Sequence, residues 1–160
     1  MLFRSQDLPT LDRARYAPAS GLAQGAYVLA DAEGGKKPEV ILIATGSEVS
    51  VCVDTYEKLK SEGIAARVVS MPSWDLFERQ DDAYKDSVFP PDVAARVCVE
   101  QAGALGWDRY VGRLGSQIVM HTFGASAPLA DLKKKFGFTP EHVYDEAKKQ
   151  IERVKTSHKE

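Results

Sequence analysis

Five consecutive apolar residues, Val40-Ile41-Leu42-Ile43-Ala44, run directly into Thr45-Gly46-Ser47. A strand with one wet face alternates apolar and polar residues. An unbroken aliphatic run instead asks for cover on both faces, which is the condition of a parallel sheet between two helical layers. The residues after it change period. Val49, Cys52/Val53, Tyr56 and Leu59 recur every three or four positions, as on one face of a helix. Gly63 follows, where a left-handed C-cap costs glycine least.

The rest of the chain repeats this strand-then-helix grammar. Ala66-Arg67-Val68-Val69-Ser70-Met71 reads as a strand stopped by Pro72, and residues 74–87 are helix-compatible up to Pro90-Pro91. Arg96-Val97-Cys98-Val99, ending at Glu100, and Gln117-Ile118-Val119-Met120 are two further strands. Ala130 to Phe136 reads as a short helix closed by Gly137. Val143, Ala147, Ile151 and Val154 form the stripe of a terminal helix, with Pro140 in its first turn. One more strand, Ala26-Tyr27-Val28-Leu29, precedes the alternation and reaches the next through a Gly34-Gly35 turn, so it is expected antiparallel at an edge. The expectation is a three-layer α/β/α sandwich with a five-stranded, mostly parallel sheet over residues 26–160. Residues 1–25, broken by Pro9, Pro18, Gly21 and Gly25, read as an irregular segment, a linker or the tail of something upstream. One domain is what 160 residues with 44% apolar content support.

The charge balance narrows the partners. Twenty-one Lys and Arg against 23 Asp and Glu leave a net of −2, with no whole-domain basic footprint for nucleic acid or an anionic membrane. The longest stretch free of these residues, Leu114 to Ala130, is interrupted by Gly, Ser, Gln, His, Thr and Pro and cannot span a bilayer. No secretory signal is expected at the N-terminus. Cys52 and Cys98 make neither a disulfide framework nor a ligand spacing, so both read as buried apolar thiols in a reduced cytoplasmic setting.

Candidate chemistry concentrates where strands end. Gly46 and Ser47 lie at a strand-to-helix crevice, where free N–H groups attract anions. The plainer alternative is that Ser47 caps the helix. Glu100, heading Gln101-Ala102-Gly103, could serve as an acid or base, pair with Arg109 or Arg113, or face water. His121, His142 and His158 stand singly without metal spacing. His121 is expected to be partly buried and hydrogen-bonded, and His142 to lie on the surface. Lys133-Lys134-Lys135 suits a solvated helix C-terminus. Trp74 and Trp107 suit core or interface anchors.

Three strings occur in order: Ile41-Leu42-Ile43-Ala44-Thr45-Gly46-Ser47-Glu48-Val49, Ala66-Arg67-Val68-Val69-Ser70-Met71-Pro72-Ser73 and Phe123-Gly124-Ala125-Ser126-Ala127-Pro128. With Lys135-Phe136-Gly137-Phe138-Thr139 they resemble the C-terminal domain of the transketolase family along essentially the whole chain. The resemblance implies a fragment of a cytosolic homodimer that moves a two-carbon ketol unit between sugar phosphates. It implies thiamine diphosphate and a divalent metal, Mg or Ca, held by two preceding domains, and hence a chain that is inactive alone and serves the fold and the dimer. Two other roles stay open: a free-standing module for a small anion or metabolite, and a subunit completing a split enzyme in trans. The family also reads Ser/Thr-Arg-Gln-Asn/Asp-Leu-Pro just before this domain, its arginine binding substrate phosphate. Here the segment is Arg4-Ser5-Gln6-Asp7-Leu8-Pro9, with Ser5 at the arginine's position and Arg4 one residue early.

Overall fold

In a computed structural model, residues 8–157 are described. The continuous aliphatic run is strand β2 (Val40–Ala44), every residue of it buried. It lies at the centre of a five-stranded sheet with β1 (Tyr27–Ala30), β3 (Ala66–Ser70), β4 (Arg96–Glu100) and β5 (Ser116–Val119), in the order β1-β3-β2-β4-β5. β3, β2, β4 and β5 run parallel, and β1 is antiparallel at the edge. β1 pairs with β3 rather than with β2, its neighbour along the chain. The nine residues between β1 and β2 are too many for a tight two-residue hairpin, so the long way round to β3 costs little.

Alternate residues of β2 feed two cores. Val40, Leu42 and Ala44 pack with Leu59 of α1 (Glu48–Ser61), with Val143, Ala147 and Ile151 of α6 (Pro140–Ser157), and with Phe138, which follows α5 (Leu129–Phe136). Ile41 and Ile43 pack with Phe77 of α2 (Trp74–Glu78), Val88 of α3 (Asp82–Val88) and Tyr110 of α4 (Asp108–Val111). This is the expected three-layer sandwich. The second core is aromatic: Trp74 and Trp107 meet edge-to-face with centroids 5.1 Å apart, and Phe77, Phe89 and Tyr110 stack in beside them. Both tryptophans therefore serve as core anchors, Trp107 at 2% exposure.

Glycines end helices where expected. Gly63, at φ +76°, follows α1, and Gly137 caps α5 in the left-handed region. The single helix expected over residues 74–87 is two. Arg79 and Gln80 break it, and Asp81 restarts it by accepting the Tyr84 N–H at 2.8 Å. Upstream of β1, Ala19–Gln24 forms a 3-10 turn. Tyr16 is buried against the first core, and its hydroxyl donates to Glu57 at 2.6 Å. Burial, then that carboxylate, pushes the Tyr16 phenol up to about 12.

Candidate functional site

Because β2 and β4 are parallel and adjacent, the segments that leave them, Thr45-Gly46-Ser47 and Glu100-Gln101, emerge side by side at one end of the sheet. The chain leaves β2 toward β3 on one side and β4 toward β5 on the other, so this is the switch point of the topology. Gly46 sits at φ +57°, and a Cβ added there would meet nothing within 4 Å. The turn's handedness, rather than a close neighbour, requires glycine at this position.

Ser47 does not cap α1. Its backbone is already helical, at φ −66° and ψ −29°, and no cap bond forms. A capping side chain needs the extended conformation that Ser73 shows at φ −149°, where it accepts the Leu76 N–H. The Ser47 hydroxyl instead donates to Glu48 Oε1 at 2.5 Å, while its carbonyl accepts Ser50 Oγ at 2.8 Å. Glu48 is only 4% exposed, so a carboxylate already sits in the first turn of α1. A hollow of about 550 Å³ opens over this turn, walled by Leu8, Leu11, Leu22 and Tyr27 together with Gly46 and Ser47.

Glu100 lies half-buried at the tip of β4 and has no ion-pair partner among the described residues. Burial, then the neighbouring charge of Glu48, raises its carboxyl pKa above the ordinary value. Of the alternatives open to Glu100, pairing with Arg109 does not form. Arg109 lies on α4, across the aromatic core, and reaches Glu78 at 3.3 Å, beside the Tyr110 hydroxyl that donates to the same carboxylate at 2.8 Å. Arg113 is exposed on the turn before β5, at the other end of the sheet. Glu100 does line a second hollow, of about 400 Å³, with Thr45, Trp74 and Asp75.

His121 is exposed rather than partly buried, because β5 stops at Val119 and the chain turns outward. His142 is exposed as expected; Arg4, Ser5 and His158 lie outside the described residues. Cys52 and Cys98 are both fully buried. Burial pushes both thiols up, Cys98 to about 12, so neither is a thiolate at neutral pH. Lys134 and Lys135 are exposed and Lys133 half-buried.

Two arginines passed over in the sequence do more than any of these candidates. Arg67 pairs with Asp31 at 2.8 Å and donates to the Ser87 and Val88 carbonyls. Arg96 donates to four carbonyls, those of Val93, Tyr110, Phe89 and Pro90. An arginine inside an apolar strand was the available signal, since such a charge must find partners.

Among the described residues no three His, Cys, Asp or Glu side chains converge as metal ligands. The α1 N-terminus, with its own buried carboxylate, is ill suited to a diphosphate. These residues do not fit a thiamine diphosphate–metal group. No helix among them is long and apolar enough to cross a membrane.

A family model described as the transketolase-like TK C-terminal domain matches residues 25–139. The transketolase of Halalkalibacterium halodurans is 47% identical over 152 residues, 95% of this chain and 22% of that protein. Transketolase 1 of Escherichia coli is 49% identical over 148 residues, 92% of this chain and 22% of that one. The crystal structure of a Pichia stipitis transketolase in complex with sedoheptulose-7-phosphate superposes with a TM-score of 0.82 at 36% identity, over 94% of this chain and 21% of that one. The chain thus spans about a fifth of the length of the relatives it matches.

Proposed function

We propose a role that starts from an established premise: the chain belongs to the transketolase family, matching the C-terminal domain of that family. Its role is to complete the fold of a transketolase and to contribute dimer contacts. It has no ketol-transfer activity of its own. The whole enzyme moves a two-carbon ketol unit between sugar phosphates in the cytoplasm. Thiamine diphosphate supplies the carbanion chemistry, and the rest of the polypeptide holds it with a divalent metal. Sugar phosphates as the substrate class are supported by the Pichia stipitis transketolases solved with sedoheptulose-7-phosphate and xylulose-5-phosphate.

The observation that carries this reading is the extent of the match. Nearly all of the chain aligns, and it aligns to a fifth of each relative, the part described as a C-terminal domain. The strand-end crevice of the described residues offers a carboxylate where a diphosphate would need donors, which agrees with a scaffold role. Calorimetric titration of the purified chain with thiamine diphosphate and Mg²⁺, followed by a ketol-transfer assay, tests it. No saturable heat and no turnover are expected. Binding together with turnover would overturn the reading.

A further inference from the structure

Residues 12–17 are tied to α1 before the sheet begins. Asp12 starts a turn: its carbonyl accepts the Arg15 and Tyr16 N–H groups at 3.1 and 3.0 Å, and its Oδ1 accepts the Ala14 N–H at 2.9 Å. Two adjacent side chains then converge on one carboxylate oxygen. Glu57 Oε1 accepts the Tyr16 hydroxyl at 2.6 Å and Arg15 Nη2 at 2.8 Å. The Tyr16 ring is buried in the first core, and the Ala17 N–H donates to the Leu29 carbonyl just beyond it. A turn, a buried ring and a shared carboxylate thus fasten this segment.

Residues 8–11 are held differently. They make no hydrogen bond among the described residues; Leu11 packs against the first core, while Leu8, Pro9 and Thr10 are exposed. Yet these four residues roof the hollow at the tip of β2, over a floor of Gly46, Ser47, Val49 and Ser50. Ser50 and Glu57 lie seven residues apart on α1, two helical turns, so they share one face about 10 Å apart along the axis. The segment therefore crosses the floor near Ser50 and is tied down at Glu57. A stretch held by contact alone opens at little cost, so the tie decides whether the roof stays in place.

We propose that Glu57 is a latch: bound to Tyr16 and Arg15 it keeps residues 8–11 across the hollow, and released it lets residues 8–17 swing off α1 and uncover Ser47 and Ser50. The tie has the build of a latch. It is a single carboxylate at the rim of the core, 34% exposed, so it can let go without unpacking the sheet. Its two bonds are unequal. The ion pair to Arg15, itself 57% exposed, is worth little in water. The hydroxyl of Tyr16 donates to a charged acceptor from a buried ring, which makes it the stronger hold. Burial and that carboxylate raise the phenol to about 12, so Tyr16 stays a donor across the neutral range.

The test uses the 160-residue chain carrying Ser50→Cys on the floor of the hollow. Cys52 and Cys98 are fully buried, so the introduced thiol is the one that a maleimide reaches. Adding Glu57→Ala should speed its labelling about tenfold, and trypsin cleavage after Arg13 and Arg15, read by mass, should speed with it. Tyr16→Phe keeps the ring in the core and should give about fivefold, whereas Arg15→Gln should give about twofold or less. Equal labelling with and without Glu57→Ala overturns the proposal. Faster cleavage with unchanged labelling also overturns it, because the segment then moves without uncovering the floor. Labelling of Cys52 and Cys98 in the Glu57→Ala chain shows a domain loosened throughout, gives Glu57 a merely structural role, and overturns it as well.

Discussion

The two ends of the sheet are finished differently. At the strand N-termini, Arg67 and Arg96 hold the carbonyls of the incoming loops, Arg67 pairs with Asp31, Lys37 pairs with Asp92, and Lys60 reaches Glu33 at 2.7 Å. At the strand C-termini, Glu100 stands unpaired among the described residues, and Phe123 and Leu105 point into solvent. One end satisfies its part-buried polar groups from within the chain, as groups withdrawn from water must be. The other leaves apolar area uncovered, Leu105 at 91% and Phe123 at 98% exposure. The difference teaches that a sheet's self-sufficiency is decided by its loops, because both ends share the same strands.

The largest expected effect tests the finished end. Arg96→Ala would orphan the four carbonyls it serves and should cost about 3 kcal/mol in urea unfolding. A loss below about 1 kcal/mol would mean that water does the arginine's work and would break the contrast. Asp31→Ala should cost about 1–2 kcal/mol by thermal unfolding, because Arg67, which is mostly buried, keeps its two carbonyls but loses its carboxylate while Asp31 is half exposed.

At the other end the sign reverses. Burial, then Glu48, raises the pKa of Glu100 in the folded state, so the stability it contributes is present below its unfolded value and lost as pH rises through the folded one. At pH 7 its charge is therefore a small cost. Glu100→Gln should stabilise the chain by about 0.5 kcal/mol there, a figure discounted for solvent screening, and by nothing at pH 4. Equal gains at both pH values would show that packing, not charge, sets the effect. The smallest effect sharpens the comparison most: Phe123→Ser should leave the stability of the isolated chain within about 0.5 kcal/mol of the original in chemical denaturation.

What could be read from the sequence was what local chemistry decides. Val40–Ala44 announced a doubly covered strand, and Gly63 and Gly137 marked helix ends, because a period or a positive φ is a property of a few adjacent residues. Pairings that join distant segments could not be read this way. β1 beside β3, and Arg109 on Glu78 rather than Glu100, depend on which elements become neighbours after folding. The site was legible in its place and misread in its detail. Gly46 and Ser47 do lie at the switch point, but the conformation that would let Ser47 cap is set by the turn, and the same residue type caps at Ser73. Asp81 was a readable signal that was passed over, an Asp placed to start a second short helix.

The bulge in β1 bears on solubility. Its register shifts between Val28 and Ala30, and the Leu29 carbonyl accepts the Ala17 N–H at 2.9 Å instead of a sheet neighbour. A lateral strand with a free row of carbonyls would template another molecule. Here the chain's own upstream segment takes one of those carbonyls, at Leu29, and so shortens the free row that this border offers to another strand.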